Sequence, residues 1–430
     1  MKESAFSFDN FSVEMGDFEV RKVRKYDRIW RIGHGGSISS GITVGNGKIY
    51  FGCRNHFFYA LDANSGELVW KFQASDQISG ASAPVLRNDA LYFGSYDFNF
   101  YAVDAGTGRM LWKFKTEGVI ACGACADDER VYFGSRDNFV YALDLKTGRL
   151  VWKFKTRDGI ASVPAVDGGR LFIGSFDQNF YCLEAKTGRL IWKFPTQGEV
   201  FNYTEFLVNN DIVYFGSFDN FLRAVDAGTG RLIWKFQAGT YGISAGPVLY
   251  KDVIYQGGRD GNLYALSLDG KLLWKFATRE IVVPVICHDD RIYFGSGDQN
   301  LYCLDLNGRE LWRFQTQGTI VGKPAIYDGE IIFGSYDCNL YAINIKTREL
   351  AWKFTSGGQP SYFPPPFESF EVRIRIPREP RAEDKKKTYD LNLAEDAGEI
   401  GGAYKSRVTY QISTQYREKG KYQTTDSDGL

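Results

Sequence analysis

The residues of this chain whose types lend themselves to chemistry are few, and their spacing decides what they can do. Cys122 and Cys125 form a Cys-x-x-Cys, the spacing of thiolate metal sites and dithiol redox centres. No second pair exists to complete a zinc site, and two residues three apart on a strand point to opposite faces. Packing is therefore the expected role of both thiols. The three histidines, His34, His56 and His288, fall at unrelated places and are expected in exposed loops. A different set is more promising. Arg54, Tyr96, Arg136, Phe176, Phe218, Arg259, Gly297 and Tyr336 each occupy the variable position of a recurring turn, Ser-x-Asp in most copies. Arginines and aromatics are the usual anchors of protein interfaces, and they also stack on planar ligands. Finally, Glu205 and Lys323 break a run of small or apolar residues (Gly41, Ala83, Gly123, Val163, Gly246, Pro284) ten positions before a recurring Phe or its substitute.

These sets are visible because the sequence repeats. All nine tryptophans, Trp30, Trp70, Trp112, Trp152, Trp192, Trp234, Trp274, Trp312 and Trp352, lie 38 to 42 residues apart. A fixed period near 40 means one supersecondary unit copied many times. Each of eight copies shows four short β-type runs: one after a Gly or Thr-x-Gly loop, then Tyr-Phe-Gly-Ser, Tyr-Ala-x-Asp and Leu-x-Trp-Lys-Phe. Asp/Asn/Gly pairs, the Ser-x-Asp-x-Asn turn and a Thr-Gly turn separate them. Turn signals come too often for crossover helices. The expected fold is all-β, an eight-bladed propeller of four-stranded antiparallel blades, in which each blade buries its faces against its neighbours. The repeated glycines, from Gly52 and Gly94 to Gly295 and Gly334, mark close approaches between blades. The tryptophans are the wedges filling the gaps. Trp30 and Trp352 both look like fourth strands, and either could close the ring. Inner strands should line an axial channel, placing Glu205 and Lys323 beside it with Tyr203 and Thr204.

The string Ala-x-Asp-x-x-Thr-Gly-x-x-x-Trp occurs as AVDAGTGRMLW (102–112), ALDLKTGRLVW (142–152) and AVDAGTGRLIW (224–234), with weaker copies elsewhere. It resembles the tryptophan-docking motif of the quinoprotein, or PQQ-like, β-propeller repeat family. That family holds PQQ-dependent alcohol dehydrogenases and non-enzymatic members such as the outer-membrane assembly propeller. For the dehydrogenases the resemblance implies PQQ held between an adjacent Cys-Cys disulfide and a stacked tryptophan, with calcium and a catalytic Asp. This chain has no Cys-Cys dipeptide, every tryptophan falls on the repeat, and no Cys-x-x-Cys-His is present for haem. The resemblance thus implies a non-enzymatic member, with no cofactor and no metal, PQQ with calcium being the alternative.

Fifty-two basic residues balance fifty-two acidic ones, so no global field draws nucleic acid or anionic membrane. No apolar stretch reaches about 18 residues, and residues 1–30 hold none long enough for a signal peptide. With seven cysteines, an odd number, the expectation is a cytoplasmic protein that does not insert into a membrane. Cys338 is expected in an exposed turn. The anticipated organisation is a 1–26 extension with β-type strands, a 27–354 propeller, a 355–366 Pro/Gly linker, a 367–417 β-rich segment and a disordered tail at 418–430. The function expected is a protein-interaction scaffold using the Ser-x-Asp face and the C-terminal strands. A quinone- or metal-dependent oxidoreductase and a small-molecule sensor using the axial channel are the alternatives.

Overall fold

The computed structural model describes residues 35–78 and 83–357, together with the short strands Val20–Arg24, Phe370–Ile374, Asp390–Leu391 and Tyr410–Gln411. The chain divides into two compact units, residues 26–367, and residues 1–25 with 368–430. In the second unit Val20–Arg24 pairs antiparallel with Phe370–Ile374, and Asp390–Leu391 with Tyr410–Gln411. Trp30, His34 and most of the expected extension, linker and tail lie outside the described residues.

The larger unit is the expected propeller: eight sheets, each of four consecutive antiparallel strands in sequence order. Blade three shows the pattern, with strands Ala124–Ala126, Arg130–Gly134, Phe139–Asp144 and Leu150–Lys155. The two middle strands of each blade are almost wholly buried, and the fourth alternates between exposed and half-buried. In every blade the third and fourth strands carry a β-bulge, as between Ala142 and Leu143 opposite Leu150 and Trp152. The bulge turns two successive apolar residues outward, Leu150 and Val151 being 44% and 45% exposed.

Blades are joined by contacts repeated around the ring. Seven of the eight described fourth-strand tryptophans, all but Trp312, lie on a turn glycine of the next blade. A Cβ on Gly148 would come within 2.5 Å of the Trp112 ring, and one on Gly188 within 2.6 Å of Trp152. In six blades the indole N–H then donates to a carbonyl of that next blade, as Trp152 Nε1 does to Ala185 O at 3.0 Å and Trp70 Nε1 to Ala105 O at 3.1 Å. On the other face the glycine ending the second strand of seven blades receives the residue leading into the next blade. A Cβ on Gly134 would lie 2.1 Å from Ile160 Cγ2, and one on Gly94 2.2 Å from that of Ile120. The Asp of Ser-x-Asp adds a polar staple: Asp97 accepts the Tyr101 hydroxyl of its own blade and the Ser75 N–H of the blade before.

Blade eight, Ala325–Tyr327 to Leu350–Thr355, has Trp352 on its own fourth strand. That indole seats on Gly66 of blade one, where a Cβ would lie 2.4 Å away. Among the described residues the ring therefore closes by docking of blade against blade. Backbone bonds from Ile38 N–H to Ser335 O and from Ile42 N–H to Lys323 O complete the seam. Cys338 departs from expectation: it is buried, because at this seam Gly36 and Ser37, on the segment entering blade one, lie against its thiol.

Candidate functional site

Two places along the axis depart from the repeat. The first is the mouth on the Ser-x-Asp face. The variable turn residues of neighbouring blades meet there in pairs. The Arg136 guanidinium lies 4.2 Å from the Phe176 ring centre, Arg259 lies 5.1 Å from Phe218, and Arg54 lies 5.4 Å from Tyr336. Each pair joins two adjacent blades and is a cation–π contact. Between Phe176 and Phe218 sits Phe201, at 5.9 and 6.2 Å, itself edge-on to Tyr203 at 4.6 Å. Blades three to six thus carry a continuous arc, Arg136–Phe176–Phe201–Phe218–Arg259, with a cation at each end.

Accessibility differs around the mouth. Arg136 is exposed, and Tyr96, Phe176, Phe201, Phe218 and Arg259 are half-buried, whereas Arg54 and Tyr336 are buried. At blade seven Gly297 leaves only space already filled by Glu280 and Ile281. Burial pushes the Tyr336 phenol up to about 12 against the opposing field of Arg54, with Tyr203 and Tyr96 adding to the rise. Burial likewise raises Tyr203, opposed by Arg259 and Arg136. Tyr336 thus feels Arg54, Tyr203 and Tyr96, and Tyr203 feels Arg259 and Arg136. Glu199 is raised by burial too, while Arg136 draws it down.

Phe201 is the member of this arc that the turn pattern does not reveal. A signal existed in the spacing. Trp192 to Trp234, like Trp70 to Trp112, spans 42 residues rather than 40, and the two extra residues fall where the chain enters blade five. There Val200 precedes the first strand Leu207–Asn209 by seven residues, against five from Ile160 to Ala165 in blade four. The longer loop carries Phe201 and Tyr203 to the mouth, beside Phe176 and Phe218.

The second place is the channel itself. First strands of blades two to five wall a cavity of ≈ 350 Å³ lined by Val85, Cys125, Ala126, Val166, Glu205 and Phe206, among others, with Arg87 and Asp167 near the strand ends. Glu205 keeps more than a third of its surface open, yet the surrounding protein raises its carboxyl above the usual range, with Lys323 opposing. Thr204 does not face it as a ligand group, because its hydroxyl accepts the Gly246 N–H at 2.9 Å. Cys122 is buried against the Gly134 carbonyl, and Cys125 is in the core between blades three and four.

Seven of the eight described tryptophans, all but Trp312, rest on the turn glycine of the next blade. All seven cysteines are free thiols. Among the described residues no group of three or more His, Cys, Asp or Glu could hold a metal ion.

Comparisons with known proteins agree with this architecture. The family model described as the beta-propeller of the beta-alanine-activating enzyme matches residues 101–328. The model described as outer membrane protein assembly factor BamB matches residues 17–152. No curated protein matches the sequence. Among solved structures, BamB from Moraxella catarrhalis superposes with a TM-score of 0.59 at 18% identity, covering 76% of this chain and 95% of that one. The computationally designed Ika8 protein gives a TM-score of 0.63 at 16% identity, covering 71% and 95%. At these identities the solved structures speak for the fold alone.

Proposed function

The chain belongs to the PQQ-like β-propellers, in the family of the beta-alanine-activating enzyme's propeller, and on that footing we propose that it is a non-catalytic, intracellular protein-interaction platform. The observation that carries this reading is the arc across blades three to six. Five side chains of the types enriched in protein interfaces form one row, with Arg136 exposed at one end. A row of aromatic faces ending in two guanidiniums suits a partner segment with apolar side chains between carboxylates. The terminal strands are a second contact surface in this proposal. Val20–Arg24 and Phe370–Ile374 form a two-stranded sheet, the kind of edge to which an extended partner segment adds a strand.

Affinity capture with the intact chain, a chain ending at residue 356, and the intact chain carrying Phe176→Ala and Phe218→Ala tests both surfaces. A partner held by the intact chain and lost from the double variant supports the arc. One lost only on truncation moves the function to the terminal strands, and one held equally by all three overturns the proposal. We also propose that no quinone is used. Saturable binding of PQQ with calcium, accompanied by dye reduction, would contradict that.

A further inference from the structure

The fourth strand of each blade ends its sheet, so the circumference of the disc is a series of open strand edges. An open edge invites pairing with another extended chain. The edges are not equivalent. Blades two to six carry basic and apolar side chains there and no acid: RMLWKFK (109–115), RLVWKFK (149–155), RLIWKFP (189–195), RLIWKFQ (231–237) and KLLWKFA (271–277). Glu67 opens the same run in blade one and Glu349 in blade eight, and in blade seven Glu310 pairs with Arg313 at 3.0 Å. Among the fourth strands, those of blades two and three alone hold two lysines, Lys113 with Lys115 and Lys153 with Lys155.

All four lysines are exposed, and none has a carboxylate within 4.0 Å among the described residues. Their backbone groups face outward as well. Thr156 donates its N–H to Asn138 O at 2.9 Å, and Thr116 donates to Phe98 O at 2.8 Å. Bonded and non-bonded pairs alternate along an antiparallel ladder. Lys155 and Lys153, opposite Phe139 and Tyr141, are therefore non-bonded pairs whose N–H and C=O point to the open side. Lys115 and Lys113 repeat this opposite Asn99 and Tyr101. At the other end of the same strands the β-bulge presents apolar surface, Met110, Leu111 and Val151 each being 45% exposed. Blade four is the contrast: Pro195 takes the place of Lys155, and a proline has no N–H to offer a partner. Charge then selects the occupant. Lysines on an edge repel the same edge of a second copy, whereas opposite charges across two strands stabilise their pairing. A nucleic acid would use the lysines but neither the apolar bulge nor the backbone edge.

We propose that the outer edges of blades two and three each take up an extended acidic segment of a protein partner as an added antiparallel strand. Its carboxylates lie beside the two lysines of the edge, and an apolar side chain lies on the bulge. This surface is separate from the aromatic arc, so the two proposals fail separately. Calorimetric titration of the full chain with the capped peptide Thr-Glu-Thr-Glu-Thr-Val-Thr tests it. The peptide should bind saturably below millimolar concentration. Lysine in place of both glutamates, or N-methylation of both, should weaken binding by about tenfold or more. Lys115→Gln with Lys155→Gln should weaken it about threefold, and Lys115→Pro with Lys155→Pro about tenfold or more. Both pairs use residues that other blades carry at this place, Gln73 and Gln237 or Pro195, so the fold accommodates them. Phe176→Ala with Phe218→Ala should leave the affinity unchanged; a loss there would put the peptide on the arc and overturn the proposal. Absence of saturation, equal binding of the N-methylated or lysine peptide, or unchanged affinity in the proline pair would each overturn it. So would a DNA duplex or a phosphatidylserine vesicle that binds the chain while the peptide does not.

Discussion

The outer wall of the disc and its axis are built from the same eight copies, yet they follow opposite rules. On the wall, six tryptophans meet the equivalent turn glycine and the equivalent carbonyl of the next blade, as Trp112 and Trp152 do with Leu145 and Ala185. At the axis the copies diverge. One position holds Arg136, Phe176 or Gly297, and another holds Gly123, Glu205 or Lys323. Identity around a ring serves stability, because every interface must close on the next. Difference around a ring makes direction, and a ligand or partner needs direction to be recognised. The division predicts large stability effects at the tryptophan seats of the wall, with little change in recognition by the arc, and the reverse at the axis.

The largest expected effect is at the wall. Trp152 is 9% exposed, lies on Gly188 and donates to Ala185. Trp152→Ala should cost about 3–5 kcal/mol through lost burial and a cavity between blades three and four. Denaturant unfolding of the two proteins measures it, and a loss under about 1 kcal/mol would break the comparison. Next comes overpacking. In Gly134→Ala the new methyl would sit 2.1 Å from Ile160 Cγ2, at a cost of about 1–3 kcal/mol. The second change Ile160→Val should recover part of that in a double-mutant cycle, because it trims the same contact.

The Asp staples give a smaller effect with a pH signature. Burial works to raise the Asp97 carboxyl, but hydrogen bonds from Tyr101, Ser75 and Asn99 outweigh it and leave it below its ordinary value. A carboxyl depressed in the folded state adds stability that is complete above its unfolded pKa of about 3.9 and is lost as pH falls through the folded value. Asp97→Asn should therefore cost about 1–2 kcal/mol at neutral pH and nearly nothing at the acid end. Melting temperatures of both proteins as a function of pH should converge as the pH drops below 4; a constant gap would refute the staple as an electrostatic device.

The wall was legible in the sequence because repetition turns position into evidence. Trp152 and Gly134 could be assigned to blade contacts from their spacing alone, and the eight blades followed. The axis was legible only as a set of exceptions. Glu205 and Lys323 stood out as charges in a small-residue slot, but nothing in the spacing said that the fold leaves them unpaired. The frame around the variable turn residue hid its own work: Asp97 reads as turn chemistry, and only the folded ring brings Ser75 to it. Phe201 was concealed in a two-residue lengthening that blade five shares with blade two. Cys338 was misplaced because the seam covers one turn that is open in other blades, and seam contacts join residues some 300 apart, such as Ser37 and Tyr336.

The smallest stability effect should accompany the largest loss of recognition, at Arg136. Its side chain is exposed, it stacks on Phe176 across the blade boundary, and it ends the arc. An exposed cation–π contact contributes about 0.5–1 kcal/mol, so Arg136→Ala should barely move the unfolding midpoint. If the arc is the recognition surface, the same change removes a terminal cation from it, and truncation of an interface anchor costs more than about 1 kcal/mol of binding, or about tenfold in Kd. Arg136→Lys separates two reasons for such a loss. Lysine keeps the charge but not the planar guanidinium that lies over the Phe176 ring, so partial recovery assigns the effect to charge and none assigns it to stacking. Measured side by side with Trp152→Ala, the pair should invert: one variant unstable yet able to bind while folded, the other stable and unable to bind. Equal losses of stability and binding in both would mean that wall and axis are not separate devices.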